Sequence, residues 1–176
     1  MFGDRKKNRG HIKKGKQNML KQEEYNRDKY INQIQSWTLC ADDFENGTYR
    51  KPKEKALNKK YIGYNNNYFI NGFVFDIDQP QGAIAWDVCG LPKPNIIIQN
   101  TDNGHAHLLY ALKAPVCKTD NARVKPLKLA SLIQKGFTDR LKADRAYADV
   151  LMKNPINEAE WRTVWGNVEA YDLSYL

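Results

Sequence analysis

The spacing of apolar residues changes along the chain, and each spacing predicts a different element. Residues 22–36 are polar, with Tyr25, Ile31 and Ile34 at offsets that one helical face can collect, which predicts a short amphipathic helix. From Trp37 to Asn67 turn signals dominate (Asn46-Gly47, Lys51-Pro52, Asn65-Asn66-Asn67) around one short strand candidate at Tyr61–Tyr64, so this stretch reads as a cover more than as a core. Tyr68–Asp78 is dense in aromatic and β-branched residues and predicts a strand, and Gly82–Cys89 fits two helical turns closed by Gly90 and Pro92. Asn95–Gln99 and His105–Ala111 predict two more strands, joined through Thr101-Asp102-Asn103-Gly104, a segment of hairpin-turn composition. Beyond Pro115 the apolar positions become Leu127, Leu129, Leu132, Ile133, Phe137 and Leu141, a helix begun after Pro126, and the rest to Leu176 reads as short mixed elements. The class is α+β: an antiparallel-containing sheet with helices packed against one face.

Composition adds bounds. The chain has 176 residues, 41% of them apolar, enough for one ordinary domain with an appendage. The longest unbroken apolar run, Leu108–Leu112, falls far short of the ~20 residues that cross a bilayer, so no membrane partner is expected. Cys40, Cys89 and Cys117 are odd in number and widely spaced, which fits reduced thiols in a cytoplasm and lacks zinc-finger spacing. Of the formal net charge of +8, residues 1–21 hold +7, from eight Lys/Arg against Asp4 alone. Such a segment buries too little to offset its ordering entropy and reads as a mobile basic arm suited to polyphosphate, ahead of a folded part at 22–176. A solubilising terminus would look the same.

Two pairs of polar residues stand out within the strands. The two-residue period of Phe73–Asp78 sends Phe73, Phe75 and Ile77 to one face and both carboxylates, Asp76 and Asp78, to the other. Same-face neighbours on a strand lie roughly 6.5–7 Å apart, so the two acids can share hard divalent cations. The same period puts His105 and His107 on one face of the later strand, with Ala106, Leu108 and Tyr110 toward a core. Imidazoles there can ligate a metal or hold a phosphate oxygen. An isolated DxD more often ends an amphipathic edge strand, and a lone strand histidine is more often structural; the coincidence of paired acids and paired imidazoles changes that weighing. A third carboxylate for a two-cation site would come from Asp144, with Asp149 second. Lys153-Asn154-Pro155 stands shortly before Trp161 and Trp165, a mixture of cations and flat rings that suits single strands, although tryptophans are more often core.

The ordered series Phe75-Asp76-Ile77-Asp78, Leu91-Pro92-Lys93-Pro94-Asn95, Asn103 to Leu112, Ala114-Pro115-Val116 and Lys153-Asn154-Pro155 resembles the replicase domain of theta-type colicin-plasmid Rep initiators, a branch of the archaeo-eukaryotic primase superfamily. The resemblance runs from about Phe69 to about Trp165 and touches nothing before about residue 60. It implies an RRM-like primase-polymerase core whose DxD is Asp76 and Asp78, whose small-x-His histidine is His107 with His105 less constrained, and whose third acid is Asp144. It implies metal-dependent primer synthesis with Mg²⁺ or Mn²⁺ held by Asp76, Asp78 and Asp144, on a single-stranded or origin DNA template, from nucleoside triphosphates. His107, with His105, Arg145, Lys153 and Asn154, would handle substrate. Two departures stand against the pattern. Asp149 occupies a place two residues after Tyr147 where the group has glycine, and members of the group continue into a helical region and a DNA-binding tail that this sequence does not include.

Two rival readings remain at this level. His105-Ala106-His107 with Tyr147 as nucleophile fits a metal-dependent nicking endonuclease, and the basic arm with a sheet face fits a non-catalytic nucleic-acid-binding module.

Overall fold

The computed structural model describes residues 23–176, so the basic arm expected at residues 1–21 lies outside the described residues. Helix α1 (Arg27–Gln33) is followed by strands β1 (Trp37–Ala41) and β2 (Tyr49–Pro52), the helical turn α2 (Lys53–Ala56), β3 (Tyr61–Ile62) and β4 (Phe69–Ile77). A 3₁₀ turn (Gly82–Ile84) then leads into α3 (Ala85–Val88), and β5 (Ile96–Gln99), β6 (Ala106–Cys117), α4 (Val124–Leu141), β7 (Met152–Lys153) and β8 (Arg162–Trp165) complete the order. Two four-stranded sheets result, one ordered β2-β1-β3-β7 and the other β4-β6-β5-β8, and all of their pairings are antiparallel.

The central sheet, β4-β6-β5-β8, is buried on both faces. Phe73, Phe75, Ile77, Leu108 and Tyr110 pack on one side against Ile133, Phe137 and Leu141 of α4. Val74, Leu109, Ile96 and Ile98 face the other way, into a second core with Tyr30 and Ile34 near α1 and with Cys40, Ile62 and Met152 of the smaller sheet. The longest helix, α4, thus covers one face together with α3, as the sequence predicts, while the opposite face carries a second sheet and α1. Each such side chain adds about 1.5–3 kcal/mol through burial.

Three local outcomes differ from the sequence reading. Residues 37–67, read as a cover with one strand, supply three strands of the smaller sheet; their inward residues Cys40 and Ile62 are too few, and too mixed with Lys and Arg, to give a clear alternation. Strand β6 runs on through Pro115 to Cys117, because the β4–β6 register slips between Ile70 and Gly72 and leaves Pro115 in the irregular stretch. No ladder N–H is needed there. Helix α4 starts at Val124 and accommodates Pro126 in its first turn, where helical N–H groups lack intrahelical partners anyway.

The turn between β5 and β6 forms as expected, with the Asn100 N–H donating to the His105 carbonyl. Asn95, just before β5, is fully buried and structural: its amide nitrogen donates to the Val168 and Glu169 carbonyls, and its Oδ1 accepts the Ala111 N–H. No helix among the described residues is long and apolar enough to cross a membrane, and Cys40, Cys89 and Cys117 are free thiols.

Candidate active site

Asp76 on β4 stands directly opposite His107 on β6 in the antiparallel ladder, and cross-strand partners project from the same face. That is the face turned toward the smaller sheet, where β7 brings Lys153. The Asp76 carboxylate Oδ1 lies 3.1 Å from Nε2 of His107 and 3.6 Å from Nζ of Lys153. One step outward, past the end of β4, Asp78 Oδ1 lies 3.1 Å from Nδ1 of His105. The paired acids and paired imidazoles expected on neighbouring strands thus meet across the ladder, each acid beside its own imidazole.

The inner pair is tightly determined. His107 is 3% exposed, and its Nδ1 accepts the backbone N–H of Lys153 at 3.1 Å. A nitrogen that accepts carries no proton, so the neutral ring holds its hydrogen at Nε2, on the Asp76 side. Burial holds the His107 pKa below its usual value, with the Lys153 charge adding to the effect and Asp76 opposing it. Burial also pushes the Asp76 carboxyl up, but His107 and Lys153 outweigh it and keep it below the usual carboxylate range. The Lys153 ammonium is lowered by burial, with Asp76 pulling the other way, and it sits 5.9 Å above the Trp161 ring. Asp76 Oδ1 is nonetheless buried without an aligned hydrogen bond from either neighbour.

These groups open into a cavity of about 440 Å³ whose wall includes Asp76, His107, Lys153, Asp144, Tyr61 and Phe44. Asp144 arrives there because its own N–H donates to the Asp76 carbonyl at 2.9 Å, continuing the edge of β4, while its carboxylate accepts the Ala146 N–H at 2.8 Å. Asp149 does not share this cavity. Its backbone is left-handed, with φ of 51°, and its carboxylate accepts from the Asn65 amide. Burial pushes that carboxyl up to about 7, against the Asn65 hydrogen bond. The position where the resembled group has glycine is thus one where the chain adopts the conformation glycine prefers, and aspartate tolerates it better than most residues.

Other candidates have different surroundings. Asn154 is fully buried and commits its amide to the carbonyls of Leu57 and Lys59 and its Oδ1 to the Ile156 N–H, which closes a loop behind Lys153. Arg145 bonds Asp139 at 2.9 Å and lines a separate cavity of about 700 Å³ against α4, larger than the first but without an imidazole or the paired acids. Trp161 and Trp165, weighed above as stacking rings, belong to the core: the Trp161 Nε1–H donates to the Lys60 carbonyl, and Trp165 meets Tyr30 edge-on. Tyr147, the nucleophile of the nicking alternative, donates its hydroxyl to the Leu151 carbonyl, and burial raises its pKa well above the usual phenol value. His105 and His107 face different acids, and no cluster of three His, Cys, Asp or Glu suited to a metal exists among the described residues. The sequence reading missed Leu39, Phe44, Thr48 and Tyr61, which line the cavity beside the 146–151 segment. Nothing in their spacing marks them; only an aromatic at position 44 amid acids and turn residues was unusual.

The fold, an antiparallel sheet with acids on its edge strand β4 and imidazoles on or beside the neighbouring β6, is similar to that of a solved domain. The AEP domain of the primase-polymerase of cyanophage S-2L superposes with a TM-score of 0.52 at 13% identity, over 79% of this chain and 84% of that domain. No curated protein matches the sequence. The Replicase family matches residues 33–176, and the chain belongs to that family. Family membership begins well before residue 60, so β1–β3, which carry none of the recognised motifs, are part of the family's fold.

Proposed function

We propose that this domain catalyses template-directed nucleotidyl transfer, making a primer for a plasmid- or phage-type replication system from nucleoside triphosphates on single-stranded DNA. The observation that carries the reading is the buried Asp76 Oδ1, left without an aligned hydrogen bond at the wall of a cavity that also holds His107, Lys153 and Asp144. With an imidazole at 3.1 Å and an ammonium at 3.6 Å, neither of them aligned for a hydrogen bond, this buried carboxylate oxygen keeps acceptor capacity that a further cation would take up. The donor set is all-oxygen and hard, which fits Mg²⁺ or Mn²⁺; Mg²⁺ in particular keeps several waters and needs only one or two carboxylates. Asp76 and Asp78 would hold it, with Asp144 at the cavity wall as the further acid. When bound, such an ion supplies Lewis-acid stabilisation of the charge that develops at the reacting phosphate.

The chain's own residues do the rest. Lys153 brings a fixed positive charge to the Asp76 side of the cavity, where a triphosphate oxygen gains from it in a partly dry setting. His107 flanks the Asp76 carboxylate, with Nε2 at 3.1 Å, and is itself fixed by the Lys153 backbone. Phe44 and Tyr61, whose rings lie 4.6 Å apart, give the cavity an apolar flank against which a nucleoside can rest.

The test is incubation of the full chain with labelled nucleotides, single-stranded template and Mn²⁺. Wild type should extend and initiate, and Asp76→Ala and Asp78→Ala should lose at least about a hundredfold in rate. Synthesis retained by both variants would refute the assignment, and a tyrosyl–DNA adduct on the same denaturing gel would replace it with nicking chemistry.

A further inference from the structure

The smaller sheet has one face in the core and one face outward, and its register shows what the outward face carries. Trp37 pairs with Pro52 and Leu39 with Arg50, while Ala41 pairs with Tyr61 and Tyr61 with Lys153. Partners in an antiparallel ladder share a face, so Trp37, Arg50, Leu39, Tyr61 and Lys153 lie on one side of this sheet. Four residues along β1 separate Ala41, level with Lys153, from Trp37, a run of roughly 14 Å. The face therefore forms a short track that ends at the Asp76 cavity.

The track is hollowed and cationic. A polar cavity of about 140 Å³, lined by Gln35, Arg50, Asn66, Asn67, Lys118 and Asp149 among others, shares Leu39, Ala148 and Val150 with the wall of the Asp76 cavity. Residues 50–60 hold Arg50, Lys51, Lys53, Lys55, Lys59 and Lys60 against Glu54 alone. Among the described residues Arg50 and Lys118 have no carboxylate within ion-pair distance, whereas Lys59 and Lys60 are taken by Asp42 and Glu160. The acids nearest the track are similarly engaged: Asp42 by Lys59, Asp43 by the Asn46 N–H, and Asp149 by Asn65. Trp37 is 59% exposed at the far end, although a ring of its size is usually covered.

Free cations spaced along a groove, amide side chains between them and an exposed flat ring fit one class of ligand, a single polynucleotide strand. We propose that a single-stranded polynucleotide reaches the Asp76 cavity across the outward face of β1 and β2, with phosphates at Arg50 and Lys118 and a base stacked on Trp37. The inference rests on the functional reading only for the strand's role as template. Binding itself requires neither ion nor nucleotide.

The experiment uses the full chain and a fluorescein-labelled deoxyoligonucleotide in EDTA, without nucleotides, over a range of salt. The Arg50→Ala/Lys118→Ala variant should bind at least about tenfold more weakly, with a salt slope shallower by roughly one to one and a half. Lys125→Ala/Lys128→Ala, which removes equal charge from exposed positions on α4, should bind like wild type. Trp37→Phe should retain most of the affinity but lose the tryptophan quenching that accompanies binding, and Trp37→Ala should lose roughly tenfold in affinity. Unchanged affinity in the Arg50/Lys118 variant, an equal loss in the α4 variant, or quenching that survives Trp37→Phe would each overturn the proposal. Primer synthesis distinguishes the two readings: wild type that binds but never extends refutes the function alone, and extension with unchanged binding in the Arg50/Lys118 variant refutes the track alone.

Discussion

The backbone N–H of Lys153 donates to Nδ1 of His107 at 3.1 Å, so the ring that faces Asp76 is positioned by the same residue whose side chain faces Asp76 from the other direction. Protonating Nδ1 would break that hydrogen bond and place a second charge beside the Lys153 ammonium. This explains why His107 stays neutral beside a carboxylate that would ordinarily favour the imidazolium.

His107 therefore links stability to pH. Its folded-state pKa is below the usual histidine value, so its contribution is complete above about pH 6.5 and is lost as the pH falls through that range. The melting temperature of wild type should fall more between pH 7.5 and 5 than that of His107→Asn, whose Oδ1 can still accept the Lys153 N–H. His107→Phe, which orphans that buried N–H, should cost about 1–3 kcal/mol in chemical denaturation.

Asp149 acts with the opposite sign. Its carboxyl is raised to about 7, so the folded state binds the extra proton, and the associated stability is full below about pH 4 and lost as the pH rises through 7. Asp149→Asn keeps a side chain suited to the left-handed backbone and to Asn65 while removing the charge. It should raise stability at pH 8 by on the order of 2 kcal/mol and leave it little changed at pH 4. Because this window overlaps that of His107, each effect is read as the difference between wild type and its own variant.

Lys153→Met should separate charge from position. The backbone N–H to His107 remains, but Asp76 loses its buried cationic neighbour and its carboxyl rises toward the ordinary range. Depression of Asp76 supplies stability that is present above about pH 4 and lost as the pH falls through its folded value, so the variant should lose less on acidification. Primer synthesis should fall by about a hundredfold or more, with the fold retained by circular dichroism.

Gly104 fixes the mouth of the site. It has φ of 78°, and a Cβ there would lie 2.0 Å from the Pro80 carbonyl oxygen, so the turn before β6 closes only with glycine. Gly104→Ala should destabilise by about 2 kcal/mol or more and separate His105 from Asp78. Loss of nuclear Overhauser contacts between the His105 ring protons and the Asp78 Hβ protons would report the separation.

Much of the central sheet was legible because its residues obey one rule at a time. In Phe73–Asp78 and His105–Tyr110 the polar residues fall at every second position, and that spacing alone put Asp76 with Asp78 and His105 with His107 on common faces. The smaller sheet was not legible, since its strands are short, rich in Lys and Arg, and paired through residues as distant as Tyr61 and Lys153. No local spacing announces such a contact. The commitment of Asn154 to Leu57 and Lys59 was hidden for the same reason, as was the burial of Tyr147. Asp149 lay between these cases: the sequence marked it as standing where glycine belongs, and only the backbone angle gave the cause.

Asp144 is joined to Asp76 by main-chain atoms alone, the N–H of one meeting the carbonyl of the other. Side-chain replacement at the exposed Asp144 leaves that tether untouched, so on the proposed function a chain inactivated there should keep its shape and go on occupying DNA. Coexpressed with the intact protein, such a chain would act as a competitor, blocking replication by holding the substrate it cannot use.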